Sequence, residues 1–367
     1  NRKITFRTKL KKAMLHKINI KKIIKETSDA VSVELDIPKA LKETFQYKPG
    51  QYLTLETEVN GETVRRAYSL CSSPYTDNVP AIAVKKVEKG KMSTYLNDTA
   101  KVGESLMVLA PNGKFVVNIN ANSNNHYVLF GGGSGITPLM SIMKSVLTQE
   151  PGSRITLIYA NKSKDNVIFS KTIDEMAKTY DSRLKVLYSY DNAPLMWFGL
   201  KGLLSVEKIG QILNSKLGGG YLDCKFYICG PTGMMDVVKL GLKTNGVPTE
   251  NIHTEYFTAP SSSNKETVVE TAESFKGYGN VTVHLYGKTH SLEIDDKTTI
   301  LQAANQEGLQ PPYSCTIGVC TTCRAKVIKG TVHMLEREGL SDAEVEEGYV
   351  LTCQSQIRSN EVELKYE

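Results

Sequence analysis

The sequence predicts a multidomain α+β protein: an antiparallel β-barrel, an α/β domain on a parallel sheet, and a small β-rich domain. Three observations predict it. From Ile18 to about Val117 the chain is dense in β-branched residues, and short alternating runs such as 51–56 and 81–87 read as antiparallel strands closing a barrel. After a polar break at 118–125 (NINANSNN), apolar strands alternate with helix-period segments, as in a parallel sheet covered by helices. Residues 258–277 are rich in Ser, Thr and Glu without aliphatic periodicity and read as a flexible linker, and a hairpin pattern at 281–285 and 289–294 opens a third domain. A length of 367 residues suits two to three domains of about 150 each.

Taken in order, residues 1–17 read as a basic tail and 18–120 as the barrel. Residues 121–258 read as the parallel-sheet domain. It opens with an apolar strand at 127–130, a glycine-rich turn, and a helix with Thr137 as N-cap and Pro138 at its first position. Leu139, Ile142, Met143, Val146 and Leu147 then repeat at helical spacing. Further strands are expected at 155–159, 184–188 and 226–229, and further helices near 173–180, 205–217 and 234–243. The linker takes 259–277 and the last domain 278–367.

The formal charge of +6 is unevenly spread. Residues 1–25 hold ten Lys or Arg and no acid, which leaves 35 basic against 39 acidic side chains, or −4, in the rest. From Tyr278 on, eight basic face 13 acidic side chains. A basic start on a mildly acidic body is not the charged face of a nucleic-acid binder, and the tail reads as a solvated segment. Residues 1–13, ahead of the first methionine at Met14, read as dispensable. No run of 18 apolar residues and no apolar stretch with a small-residue cleavage site is present, so neither membrane insertion nor secretion is expected. Seven cysteines, an odd number with three inside nine residues, argue for ligand or redox thiols in a reducing, cytoplasmic setting.

The strongest motif is Cys315-x4-Cys320-x2-Cys323, followed 29 residues later by Cys353. That is the spacing of a plant-type two-iron, two-sulfur (2Fe-2S) centre, with three thiolates on one loop and the fourth from a distant strand. Gly318 supplies the small residue that lets backbone N–H groups turn toward the sulfurs. A structural zinc site usually has two C-x2-C knuckles; one is present here. The words PYSCTIGVCTTC and YVLTCQ resemble the plant-type ferredoxin family, which implies a β-grasp fold. Cys71 and Cys224 have no partner motif and read as small core residues.

The barrel carries Arg66-Ala67-Tyr68-Ser69. An arginine fork suits a diphosphate, a tyrosine ring can lie on a planar heterocycle, and a serine hydroxyl can meet a ring nitrogen. Val84-Lys85 and Gly90-Lys91-Met92-Ser93 follow; the latter reads as a glycine turn entering a helix, able to cradle a diphosphate, or as an ordinary cap on Ser93. Gly131–Gly135, with Gly133, Ser134 and Thr137 prominent, lies between a strand and a helix, the context of a pyrophosphate loop, although its third fingerprint position is Thr-Pro. Cys229-Gly230-Pro231 ends a later strand, where ligands bind open α/β sheets.

Together, R-x-Y-S, G-x-x-S, G-G-x-G-x-T-P, C-G-P and Glu255-Tyr256-Phe257 resemble the ferredoxin–NADP reductase superfamily. The flavin–nucleotide–ferredoxin order resembles the reductase components of multicomponent oxygenases, most of all the phenylacetyl-CoA epoxidase reductases. Ketosteroid hydroxylase reductases share the layout, as do the FMN-holding phthalate dioxygenase reductases; the segment Pro111–Phe115 looks more like the FAD-binding members. The resemblance implies that Arg66 and the G-x-x-S turn hold the FAD diphosphate, Tyr68 stacks on the ring, Ser69 approaches its N5 and Cys229 lies by the nicotinamide, with Thr137 and Glu255 nearby. It also implies an oxidoreductase passing electrons from NAD(P)H through FAD and a 2Fe-2S cluster to a terminal oxygenase or hydroxylase protein. Two other classes are a stand-alone flavin and iron–sulfur oxidoreductase acting on a small acceptor such as a quinone, and a zinc-knuckle binding module. Six histidines and no H-E-x-x-H run offer no further active metal. After the strand at 155–159, Lys162 and Lys164 precede the first acid, Asp165, which favours the 2′-phosphate of NADPH over NADH.

Overall fold

The structure, a computed structural model, describes residues 15–217, 220–257 and 275–366. Residues 1–14 of the basic tail and most of the expected linker lie outside them. The described residues from 16 to 257 form one compact unit, and those from 275 on belong to a second.

Six strands build the first sheet: β1 (His16–Thr27), β2 (Ala30–Asp36), β3 (Tyr52–Val59), β4 (Glu62–Ser69), β5 (Ala81–Lys85) and β6 (Ser105–Val108). They run in the order β4-β3-β6-β1-β2-β5, every pair antiparallel. A bridge from Leu70 to Ile82 joins the two edges, so the sheet closes into the expected barrel. Alternation explains the closure: Ile18, Ile20, Val33, Leu35, Leu53, Leu55, Leu106 and Val108 all point to one buried interior. Strand β1 starts at His16, which pairs with Val108, so two residues expected in the tail belong to the barrel. One short helix, α1 (Lys91–Thr94), lies between β5 and β6.

The second sheet is wholly parallel: β7 (His126–Gly132), β8 (Arg154–Asn161), β9 (Leu184–Tyr190), β10 (Leu200–Lys201), β11 (Lys225–Cys229) and β12 (Ile252–Glu255), in the order β10-β9-β8-β7-β11-β12. Helices α2 (Ile136–Gln149), α3 (Ser170–Thr179), α4 (Val206–Lys216) and α5 (Thr232–Thr244) alternate with its strands. The chain builds outward from β7 to β10 and then returns to β11 on the other flank of β7. Strand order therefore reverses at β7, and the carboxyl ends of β7 and β11 frame the crevice where open α/β sheets bind ligands. Helix α2 differs from expectation at its start. A 3₁₀ turn over Gly133–Gly135 runs straight into it, so Gly135 is the N-cap, and Thr137 and Pro138 sit at the second and third positions. Proline is tolerated there because the first helical N–H groups have no intrahelical acceptor.

In the second unit, β13 (Tyr278–Leu285) and β14 (Lys288–Asp295) form the expected hairpin. With β15 (Arg324–Lys329), β17 (Tyr349–Leu351) and β19 (Glu361–Tyr366) they make a mixed sheet ordered β14-β13-β19-β15-β17, and β16 (Val332–Met334) pairs with β18 (Ser355–Ile357) beside it. Strand β19 runs parallel to β13 and antiparallel to β15. Helix α6 (Ile300–Gln306) starts at a Thr299–Gln302 capping box and buries Ile300, Ala303 and Ala304 on the sheet. A short helix, α7 (Asp342–Glu346), precedes β17. This is the β-grasp layout.

Candidate functional site

Strand β4 sets the expected flavin residues in register: Arg66 lies opposite Leu55, Tyr68 opposite Leu53 and Ser69 opposite Tyr52. The two neighbouring arginines differ. Arg65 is held by Glu56 through Nε at 2.7 Å and Nη2 at 2.6 Å. Arg66 is exposed, with Nη1 donating to the Arg65 carbonyl at 2.7 Å. Its fork is the one presented to solvent. Tyr68 is half-buried, and burial pushes its phenol up while Arg66 pulls the other way.

Ser69 is buried, and its hydroxyl donates to Glu255 Oε2 at 2.9 Å. Glu255 ends β12 and is the register partner of Cys229 at the end of β11. Three residues far apart in sequence therefore meet where the barrel abuts the parallel sheet. The Glu255 residue is partly exposed overall, but burial of its carboxyl lifts it to about 8, with the Ser69 hydrogen bond opposing. Cys229 is fully buried, and that burial, followed by the Glu255 charge, pushes its thiol well up. It stays a neutral thiol.

The glycine loop packs on this pair. A Cβ at Gly135 would lie 2.0 Å from the Cys229 carbonyl oxygen, so only glycine lets the loop approach Cys229-Gly230-Pro231. The Thr137 hydroxyl donates to the Ser134 carbonyl at 3.1 Å, and the Tyr159 hydroxyl donates to the Gly133 carbonyl at 2.9 Å. Tyr159 reads in sequence as one more apolar strand position; nothing there signals that its hydroxyl braces the loop. At the carboxyl end of β8, Asn161 is buried with neither amide atom bonded, an orphaned polar group where a nucleotide is expected. Lys162 and Lys164 are exposed beside it. The fold brings a second acid besides Asp165 to this rim: the Asp191 amide donates to the Asn161 carbonyl at 3.1 Å.

On the barrel side Val84 is buried, and Lys85 Nζ lies 3.6 Å from Asp29 Oδ2, a partner with no sequence signature. Gly90, not Ser93, caps α1, and Met92 and Ser93 are buried in it. Ser93 Oγ accepts the Val87 N–H at 3.1 Å and donates to the Gly90 carbonyl at 3.3 Å. The Gly90 turn is thus locked by the serine three residues on. The exposed Arg66 fork and the half-buried Tyr68 ring fit a flavin diphosphate and ring. Bare glycine backbone and the unpaired Asn161 amide fit a pyridine nucleotide.

In the second unit the loop from Cys315 to Cys323 turns through Gly318 at φ +79°, where a Cβ would strike Glu336. The Gly339 N–H donates to the Gly318 carbonyl at 2.8 Å. Cys353 reaches the loop because Thr352 is stapled to it: its hydroxyl and its N–H both donate to the Cys323 carbonyl, at 3.0 and 3.2 Å. Among the described residues no three His, Cys, Asp or Glu side chains converge as ligands of one ion. The four thiols nonetheless perturb one another's protonation: Cys320 and Cys353 hold Cys315 low, and Cys353 holds Cys323 low. The same neighbours push Cys320 and Cys353 up. The chemistry of the donor set, four cysteine sulfurs with three on one loop and the fourth stapled to it through Thr352, suits an iron–sulfur cluster. Cys71 and Cys224 are buried and donate to the carbonyls of Ala81 and Gly220.

Three family models match in series. The oxidoreductase FAD-binding domain covers residues 17–117, the oxidoreductase NAD-binding domain 129–240, and the 2Fe-2S iron-sulfur cluster binding domain 283–358. A component of the 1,2-phenylacetyl-CoA epoxidase of Escherichia coli (strain K12) is 34% identical over 353 residues, 96% of this chain and 98% of that protein. The ferredoxin reductase component of 3-ketosteroid-9-alpha-monooxygenase from Rhodococcus rhodochrous is 32% identical, covering 95% and 96%. Among solved structures, phthalate dioxygenase reductase, described as a modular structure for electron transfer from pyridine nucleotides to [2Fe-2S], shares the fold with a TM-score of 0.57 at 24% identity, covering 96% and 98%. No helix among the described residues is long and apolar enough to cross a membrane.

Proposed function

Because the chain belongs to the family of oxygenase reductases built from FAD-binding, NAD-binding and 2Fe-2S domains, we propose that it delivers electrons from NAD(P)H, through FAD and a 2Fe-2S cluster, to a terminal oxygenase or hydroxylase. The observation that carries this reading is the end-to-end match to components of such systems, together with the three domains in series. A flavin held by Arg66, Tyr68 and the Gly90–Ser93 turn would supply the link between a two-electron donor and a one-electron acceptor.

The chain's own residues orient and insulate that chemistry. Arg66 and the Gly90–Ser93 turn hold the flavin diphosphate, and Tyr68 lines the ring. Gly133–Gly135 and Thr137 present backbone to the coenzyme pyrophosphate at the start of α2. Ser69 donates to Glu255 Oε2, and Glu255, lifted to about 8, keeps its own carboxyl proton at neutral pH beside that hydroxyl. Cys229 is a neutral, apolar wall beside them. Cys315, Cys320, Cys323 and Cys353 ligate the cluster.

Two finer assignments follow. The acceptor is an epoxidase of the phenylacetyl-CoA type, supported by the resemblance to the Escherichia coli protein. The coenzyme is NADPH, supported by Lys162 and Lys164 on the β8 rim, with Asp165 and Asp191 as the opposing charges. An absorption spectrum of the purified protein tests the core reading: flavin bands with broad iron–sulfur shoulders, both bleached by NAD(P)H, are expected. Flavin bands alone would favour a simple flavin oxidoreductase, and a colourless protein a zinc-type module. Turnover of a reconstituted epoxidase supplied with this reductase tests the acceptor.

A further inference from the structure

The loop that leaves β4 and the helix that follows the glycine loop are joined by a chain of buried serines. Ser73, Ser141 and Ser145 have no exposed surface, and Ser72 is 2% exposed. Tyr75 N–H donates to Ser73 Oγ at 3.2 Å; Ser73 Oγ and Ser145 Oγ are 2.8 Å apart; Ser145 Oγ donates to the Ser141 carbonyl at 2.7 Å. Because the Ser145 proton is spent on Ser141, Ser73 is the donor to Ser145. In the return direction Ser141 Oγ donates to the Ser72 carbonyl at 2.6 Å. At the wet end of the seam Lys144 Nζ meets both oxygens of Asp77 at 3.1 Å, and Asp77 in turn accepts the Ser73 N–H at 2.7 Å.

Sequence position gives this seam its meaning. Ser72 and Ser73 follow Ser69 by three and four residues, and Ser141 and Ser145 lie on one face of α2, just beyond Thr137. The seam therefore ties the exit of the flavin strand to the helix that carries the nucleotide loop. The apolar contacts around it, where Cys71, Ala83, Phe115 and Val117 of the barrel share one core with Leu139, Ile142 and Val146 of α2, supply adhesion. Apolar contacts are non-directional; a chain of directional hydrogen bonds that crosses the seam both ways admits a single register.

We propose that Ser73 and Ser145, with Lys144 and Asp77 at the solvent edge, are positioning residues that set how the coenzyme bound at Gly133–Gly135 approaches the flavin bound at Tyr68 and Ser69. This rests on the proposed reductase function. They lie outside the residues assigned to either ligand, so they act on the rate of electron transfer within the bound complex and not on binding. Misplacement of reacting groups by about 1 Å costs up to about 100-fold, and a loosened register gives part of that.

The test is rapid mixing of the FAD-loaded, full-length protein with saturating coenzyme, followed at the flavin band. Ser73→Ala/Ser145→Ala should lower the limiting rate of flavin reduction about tenfold, with FAD content and the apparent Kd for coenzyme within about twofold of wild type. Removing both hydroxyls leaves no buried hydroxyl unpaired, so a merely structural role predicts that Ser145→Ala alone, which strands the Ser73 proton, is worse than the pair. A double variant reducing its flavin at the wild-type rate overturns the proposal. If the double variant does not fold, Lys144→Met must slow the same step, and an unchanged rate overturns the proposal equally. Wild-type protein whose flavin neither NADH nor NADPH reduces would instead sink the reductase reading itself.

Discussion

Arg65 and Arg66 are adjacent, equally charged and indistinguishable by composition, yet the fold gives them different duties. Glu56 neutralises Arg65 across the β3–β4 ladder, whereas Arg66 faces solvent with donors to spare. Arg66→Ala should therefore release FAD, raising its dissociation constant about tenfold or more, since a charge-assisted contact is roughly twice as strong as a neutral one. Arg65→Ala should cost stability and leave FAD in place; the reverse pattern in flavin content after gel filtration would show the register to be wrong. Glu255 offers a pH signature. Its carboxyl titrates near 8 when folded against an ordinary 4.5, so the folded state keeps a proton that the unfolded chain gives up. That contribution is complete below about 4.5 and fades as pH rises through 8. Glu255→Gln removes the dependence. Its melting temperature, read from flavin release, should gain on wild type between pH 5 and 9, by the equivalent of up to roughly 4 kcal/mol. Parallel curves would mean that the carboxyl is ionised in the fold.

At the scale of elements, the strands and helices were legible wherever periodicity carried them. Strands β7, β8, β9 and β11 fall within two residues of expectation, because strands buried on both faces must be continuously apolar. The start of α2 was not legible. Thr-Pro looks like a cap and first turn, but a helix can begin earlier when the residues before it are glycines, which adopt whatever backbone the close approach to Cys229 demands. The four cysteines stand out by spacing alone, and the 2Fe-2S family model spans all of them. Asp29, Tyr159, Asp191 and the serine seam could not, because each acts through a partner far away in sequence. The β8 rim carries the coenzyme prediction. Wild type should show a higher kcat/KM for NADPH than for NADH, and Lys162→Ala/Lys164→Ala should erase that preference by several-fold. A preference for NADH, or a preference for NADPH that the double variant keeps, would mean that Asp165 and Asp191 outweigh the lysines.

At the scale of the whole molecule, the residues proposed for flavin and coenzyme lie in the unit that starts at His16, and the four cysteines proposed for the cluster lie in the unit that holds the described residues from 275 on. Cys320→Ser should accordingly abolish the iron–sulfur absorption and transfer to a one-electron protein acceptor, while reduction of the flavin by NAD(P)H and of small dyes survives. Loss of both activities would show that the two units are not separable. The order of β13, β19 and β15 in the last sheet has a consequence for how such a molecule is made. The strand at the centre of that sheet is the one translated after all the others, and it comes after all four cysteines. On the ribosome the flavin and nucleotide parts can be complete while the ferredoxin frame still lacks its keystone, since domains fold as units from the N-terminal side. The hairpin at 278–295 must then wait for a partner about 80 residues downstream, a distant parallel pairing of the slow kind. Assembly of the iron–sulfur centre is thereby placed last, and a newborn chain is expected to pass through a stage in which it can oxidise coenzyme but has no outlet to its partner.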